Sequence, residues 1–209
     1  MGTRMGAAKQ LMILGTKPVL AHTIEAFDSH KDVDDIIVVA PENVAGAVRA
    51  YGYKKLKAVV PGGAERQASV WAGLSALDGE TGPVLIHDGA RPLVTQKVIS
   101  DILSCVRQGK AAVSGVISKD TIKIADAEGF VKDTPKRELV WLVQTPQGFP
   151  CRMIKEAHQQ AINDGFVGTD DAGLVERMGI PVLMVKGDYR NIKLTTPEDL
   201  QMAEALLHI

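Results

Sequence analysis

Asp88 and Arg91 close the run Val84-Leu85-Ile86-His87-Asp88-Gly89-Ala90-Arg91-Pro92, where residues of buried-strand type stop at an acid, a glycine and a guanidinium. At the carboxyl end of a strand in an open parallel sheet, that pair suits a hydroxylated, anionic ligand, and the carboxylate suits a hard metal ion. A strand followed by a plain polar turn fits the same letters. In Gly62-Gly63-Ala64-Glu65-Arg66-Gln67-Ala68-Ser69, the glycines let the backbone approach a ligand just ahead of a helix N-terminus, which favours an anion or a base edge. Arg66 and Ser69 share a face of that helix, away from the Val70, Leu74 and Leu77 stripe; a turn with a cap is the alternative.

Other groups are weaker alone. Arg4 and Lys9 flank a Gly/Ala segment, where N–H groups and cations make either a phosphate cradle or a frayed basic terminus. Lys193, in Asn191-Ile192-Lys193-Leu194-Thr195, lies in a short strand-like segment after a loop; a lysine near a sheet end suits phosphate, with a surface lysine as the default. Thr121, Lys123, Lys136 and Arg137, taken singly, are solvated polar groups. Thr145 and Thr169 lie near expected helix starts, where a hydroxyl usually caps. Asp170 and Asp171 are adjacent and would not face one another on a helix, so a carboxylate pair acting together is not expected there. The histidines form no zinc spacing, and no nucleophile elbow is present.

The elements that must hold these residues alternate. Strands are expected over 35–40, 57–60, 84–87, 111–117 and 181–185. Helices are expected over 18–27, 65–77, 95–108, 151–163 and 170–178, with a last one opening at Thr196-Pro197-Glu198-Asp199. Alternation of this kind predicts an α/β fold with a Rossmann-like, mostly parallel sheet and helices on both faces. Residues 119–140 break the rhythm, with Thr121-Ile122-Lys123-Ile124 and a turn at Ala127-Glu128-Gly129. They predict a hairpin standing off the core, marginal alone and in need of something to pack on, or else a surface loop.

A length of 209 residues favours one domain, and a net charge of −1 disfavours a general nucleic-acid binder. Any anion site then depends on local placement of Arg and Lys. No apolar run reaches the roughly 20 residues of a membrane span. The start carries no signal core, and Cys105 and Cys151 fit no metal spacing; they read as reduced thiols of a cytosolic protein, with a disulfide as the alternative.

Together these pieces resemble the 2-C-methyl-D-erythritol 4-phosphate cytidylyltransferases of non-mevalonate isoprenoid biosynthesis. The resemblance is carried by Gly2-Thr3-Arg4-Met5 with Lys9, Pro18-Val19-Leu20, Gly62-Gly63-Ala64-Glu65-Arg66 with Ser69-Val70, and His87-Asp88-Gly89-Ala90-Arg91-Pro92. It continues through Asp120-Thr121-Lys123, Gln144-Thr145-Pro146-Gln147, Thr169-Asp170-Asp171-Ala172 and Asn191-Ile192-Lys193 before Thr196-Pro197-Glu198-Asp199. Each motif is modest; the whole set in order is specific.

The resemblance implies a fold of nucleotide-diphospho-sugar transferase type and a single domain over 1–209. It further implies Mg²⁺ as cofactor, a cytoplasmic location and a homodimer made through a β-arm over 118–140, with neither nucleic acid nor membrane as partner. Arg4, Lys9 and Lys193 would be the catalytic groups, the first two holding the CTP phosphates and the charge on the α-phosphoryl group. Gly62, Gly63, Ala64 and Ser69 would read cytosine; some members have an acid in place of Ala64. Asp88 and Gly89 would meet the ribose or metal side, with Asp88 as the metal residue. Arg91, Thr145, Thr169 and Lys193 would line the sugar-phosphate site. Thr121 and Arg137 would bind methylerythritol phosphate in the neighbouring subunit.

The implied product is 4-diphosphocytidyl-2-C-methyl-D-erythritol, with pyrophosphate leaving. The rivals are a ribitol-5-phosphate cytidylyltransferase and a non-catalytic nucleotide-binding subunit. A nicotinamide dehydrogenase is disfavoured, because no Gly-x-Gly-x-x-Gly follows a strand. The family's first strand and Ala-Ala-Gly turn, which precede the counterpart of Gly2 to Met5, are missing from the chain. The expectation is reduced stability and weakened CTP binding, both restored by adding that segment.

Overall fold

A computed structural model of the chain describes residues 11–207. Arg4, Lys9, the Gly2 to Met5 motif and the expected gap before it lie outside the described residues. The first strands among the described residues form a small antiparallel pair, β1 (Ile13–Leu14) and β2 (Lys17–Pro18), which runs into α1 (Val19–Asp28). A parallel pair follows, β3 (Ile36–Val39) and β4 (Leu56–Val60), joined through α2 (Glu42–Ala50). Then come α3 (Arg66–Ser75), β5 (Pro83–Ile86), α4 (Gln96–Arg107) and β6 (Ala111–Ile117). The arm carries β7 (Ile124–Ala125) and β8 (Val131–Asp133). The chain finishes with β9 (Trp141–Pro150), α5 (Cys151–Asn163), α6 (Asp171–Arg177), β10 (Val182–Lys186) and α7 (Pro197–Leu206).

The main sheet has the order β10-β6-β9-β5. β10 runs parallel to β6, whereas β9 runs antiparallel to both β6 and β5. The expectation of a mostly parallel sheet is thus corrected to a mixed one, in which β5, β6 and β10 share a direction and β9 opposes them. Strand alternation distributes the core over two faces. Ala111 and Val113 of β6 pack with Leu74 of α3, Ile154 of α5 and Leu174 of α6. Ala112, between them, packs with Ile102 and Val106 of α4. Each fully buried Ile of this kind contributes about 1.5–3 kcal/mol relative to exposure. Helices therefore cover both faces, as the alternation predicts.

Besides the short pair β1 and β2, the structure adds α2 and β9 to the expected elements. α2 carries Val44 and Val48, one helical turn apart, into the cluster with Leu20, Ile24 and Val38. β9 contains Gln144-Thr145-Pro146, a segment expected near a helix start. Its pairing explains how a central strand tolerates a proline. Val113 lies opposite Gln147 and Gly115 opposite Val143, so Ser114 alone faces Gln144, Thr145 and Pro146. The Ser114 hydroxyl donates to the Pro146 carbonyl at 3.0 Å. Such a bulge re-aims side chains, here at the sheet end where Asp88 stands.

The hairpin expected over 119–140 is present but short. Its turn is closed by Asp126, whose Oδ1 accepts from the Phe130 N–H at 2.8 Å, and by Gly129 at φ 91°. Phe130 and Leu139 are 71% and 72% exposed.

Candidate functional site

The turn after β5 is held from four sides. The Arg91 N–H donates to the Asp88 carbonyl at 3.0 Å, which closes the turn on itself. Thr23 of α1 donates to the Gly89 carbonyl at 3.1 Å. The Leu194 N–H donates to the Ala90 carbonyl at 2.9 Å, which brings the segment carrying Lys193 alongside. Thr145 closes the fourth side. Its Oγ1 accepts from the Asp88 N–H at 3.0 Å and lies 3.0 Å from His87 Nδ1. His87 Nε2 faces the Arg91 carbonyl at 3.1 Å and so must donate there; Nδ1 is then an acceptor, and the Thr145 hydroxyl donates to it. Burial, with Phe27's ring 5.0 Å away, pushes the His87 pKa down to about 4, so this chain of hydrogen bonds stays neutral at ordinary pH.

Asp88 is the centre of charge. Lys193 Nζ lies 2.9 Å from its Oδ2, Arg91 Nε 3.7 Å from the same oxygen, and Arg66 Nε 3.7 Å from Oδ1. Burial alone would raise the Asp88 pKa. The hydrogen bond and charge of Lys193, with Arg66 and Arg91, outweigh it and hold the carboxyl below its ordinary value. Arg91 donates to the Asn191 carbonyl at 2.7 Å, and its Nε is buried without a hydrogen-bond partner among the described residues. Asn191, fully buried, donates to the Thr145 carbonyl at 2.8 Å, so the Lys193 segment is anchored on the bulge of β9.

The glycine-rich loop joins this rim through Arg66. A Cβ on Gly63 would come within 2.5 Å of Ala68 Cβ, and one on Gly62 within 2.9 Å of Ser69 Oγ, so only glycine fits the loop's close return. Ser69 Oγ accepts from the Gly63 N–H at 3.0 Å and donates to the Glu65 carbonyl at 3.0 Å, which makes it the brace of the loop. The loop itself, Gly62 to Glu65 with Ala64 included, is exposed beside the start of α3.

The structure therefore brings Asp88, Gly89, Arg91, Thr145 and Lys193 to one rim, with Gly62, Gly63, Ala64 and Ser69 attached through Arg66. Thr169 is exposed and one residue ahead of Asp170. The caps differ from the expectation: Asp170, not Thr169, caps α6 by accepting from the Gly173 N–H at 2.9 Å, and Thr145 sits in the central strand rather than at a helix start. Gln147 of β9 caps α6 as well, accepting from the Asp171 and Ala172 N–H groups at 3.2 and 3.1 Å. Thr121 and Arg137 lie on the arm. Arg137 donates to the Lys119 carbonyl at 3.1 Å, and neither residue has a hydrogen bond or ion pair with the Asp88 rim among the described residues. Arg66 joins the site from the helix face that its spacing to Ser69 predicts, whereas His87 and Gln147 are site residues that spacing alone does not single out, because they act through neighbours distant in sequence.

As a place for Mg²⁺, Asp88 offers one hard oxygen donor group, and no cluster of three or more His, Cys, Asp or Glu side chains that could hold a metal exists among the described residues. That donor set fits an ion carried mainly by phosphate oxygens, the usual habit of Mg²⁺.

The model of the family described as IspD, 2-C-methyl-D-erythritol 4-phosphate cytidylyltransferase, matches residues 1–209. A protein of that description from Geobacter metallireducens is 45% identical over 99% of this chain and 93% of its own length. The crystal structure of 4-diphosphocytidyl-2C-methyl-D-erythritol synthase from Anaerococcus prevotii superposes with a TM-score of 0.89 at 33% identity, covering 94% of this chain and 88% of that one. That of the cytidylyltransferase from Thermus thermophilus gives 0.80 at 36% identity, covering 96% and 94%. With a family model matching residues 1–209 and a relative 45% identical over 99% of the chain, the chain belongs to the 2-C-methyl-D-erythritol 4-phosphate cytidylyltransferase family.

Proposed function

We propose that the chain joins CTP to 2-C-methyl-D-erythritol 4-phosphate, giving 4-diphosphocytidyl-2-C-methyl-D-erythritol and pyrophosphate. The observation that carries this reading is the convergence of Lys193, Arg91 and Arg66 on Asp88 beside an exposed glycine loop at a helix start. Two phosphate esters must meet for the reaction to occur. Two like unit charges 4 Å apart repel by about 1 kcal/mol in water and about 4 kcal/mol at an effective dielectric near 20. A rim rich in fixed cations answers that problem by positioning and charge stabilisation, and no covalent nucleophile is required.

In this reading the Gly62 to Ser69 loop takes the cytosine through backbone groups, with Gly89 and Asp88 at the ribose side. Lys193, joined by Arg4 and Lys9, faces the phosphates. Arg91, Thr145 and Thr169 line the acceptor side, although the Thr145 hydroxyl keeps only one lone pair after its bonds to His87 and the Asp88 N–H. Asp88, with the nucleotide phosphates, would hold Mg²⁺, which when bound would draw charge from the phosphate oxygens. Thr121 and Arg137 reach the acceptor of a second copy across a homodimer made through the arm, whose apolar Phe130 and Leu139 support that pairing. The absence of any helix long and apolar enough to cross a membrane, among the described residues, fits a cytoplasmic enzyme. The test is pyrophosphate release from CTP with Mg²⁺ and either acceptor. Product with methylerythritol phosphate and little with ribitol 5-phosphate supports the reading; CTP binding without release from either refutes it.

A further inference from the structure

His158 and Asp171 have no part in the reaction above, yet they are 0% and 1% exposed. His158 Nε2 lies 3.0 Å from Asp171 Oδ1, with the ring stacked near Trp71 at 6.1 Å between centroids. The other carboxylate oxygen, Oδ2, accepts from Arg66 Nη2 at 2.7 Å. Asp171 is fixed in turn through its backbone, whose N–H donates to Gln147 of β9. Arg66 thus stands between two carboxylates: a buried one that it grips, and Asp88, which it approaches only to 3.7 Å. Burial works against its charge, and the nearby carboxylates, Asp171 above all, more than offset that. Without the grip of Asp171, the long guanidinium side chain would be free to close on Asp88 and compete with Lys193 for it. Arg66 also opens α3 immediately after the glycine loop, so the same grip sets the loop's place against the Asp88 rim.

We propose that His158 and Asp171 are positioning residues for CTP: together they hold Arg66 off Asp88 and lock the Gly62 to Ser69 loop in its binding geometry. The proposal rests on CTP being the nucleotide of this rim. A pair that merely stabilised α5 against α6 would leave CTP affinity unchanged in a folded variant, so affinity separates the two roles.

The test is calorimetric CTP binding to the full chain with Mg²⁺, alongside turnover. His158→Leu is expected to weaken CTP about tenfold while the KM for the alcohol phosphate stays within twofold. His158→Gln, which keeps a donor toward Asp171, is expected to recover most of the loss. Arg66→Lys should weaken CTP similarly, and adding His158→Leu to it should cost nothing further, because the two act through one contact. Multiplicative losses in the double variant, or a folded His158→Leu with wild-type affinity, would overturn the proposal. If His158→Leu does not fold, Asp171→Asn, nearly the same shape without the charge, takes its place with the same expected loss and the same overturning result. A wild-type chain that binds CTP but transfers nothing overturns the reaction and leaves the positioning readout intact; one that binds no CTP overturns both.

Discussion

The Asp88 rim and the β-arm both carry cations, but they are built in opposite ways. At the rim every charged group has something behind it: Lys193 has Asn191 docked on β9, Asp88 has Thr145 and His87, and Arg66 has Asp171. On the arm, Arg137 leans, among the described residues, only on the Lys119 carbonyl, and Phe130 and Leu139 are exposed. Geometry at the rim is therefore set within one chain. Geometry at the arm, in the proposed homodimer, would be completed by the second copy.

The sharpest way to break this contrast is at the rim's most exposed cation. Lys193→Ala is expected to lower kcat for pyrophosphate release by about 10²–10³-fold, the usual cost of removing one positioned charge-stabilising donor. A near wild-type rate would mean that Lys193 does not face the reacting phosphates.

A second probe reads the neutral hydrogen-bond chain behind Asp88. The His87 pKa lies at about 4 in the folded protein, below the ordinary 6.5, so between these values the unfolded chain binds more protons than the folded one. Stability should be full above pH ~6.5 and fall as the pH drops to ~4, by up to about 3 kcal/mol from this group. Urea denaturation at a series of pH values checks it, with His87→Gln expected to flatten the slope over that window. An equal slope in wild type and variant would remove His87 from the account.

The smallest effect on the protomer belongs to the arm. Phe130→Asp should change the protomer's own stability by no more than about 0.5 kcal/mol, as expected for an exposed side chain. In sedimentation it should shift the assembly toward monomer and raise the KM for the alcohol phosphate. If assembly is unchanged, the arm is not the contact between copies.

Much of the rim was legible from the sequence because its parts are short and local. The strand ending at His87-Asp88, the glycines before α3 and the Thr196 cap with Asp199 all announce themselves within a few residues. β9 was not legible, because Gln144-Thr145-Pro146, with a hydroxyl and a proline suited to a helix start, is absorbed by a bulge that only the partner strand defines. α2 left a fainter signal in Val44 and Val48, interrupted by Gly46. The grip on Arg66 was hidden for another reason: residues 66, 158 and 171 lie on three helices, and no spacing rule links them. The reading that Asp170 and Asp171 would not act as a pair agrees with the structure, where the first caps α6 and the second faces Arg66 and His158.

The bulge in β9 has an arithmetic side. Three residues pass where one would suffice, an excess of two, so the strand keeps the same inward and outward parity on either side of Ser114. Deleting a single residue there would turn half of β9 inside out. Deleting both Thr145 and Pro146 would leave a regular ladder, and with it a protein that could fold soundly while having no means to aim its acid. At this one place, folding and chemistry can be uncoupled by the evenness of a deletion.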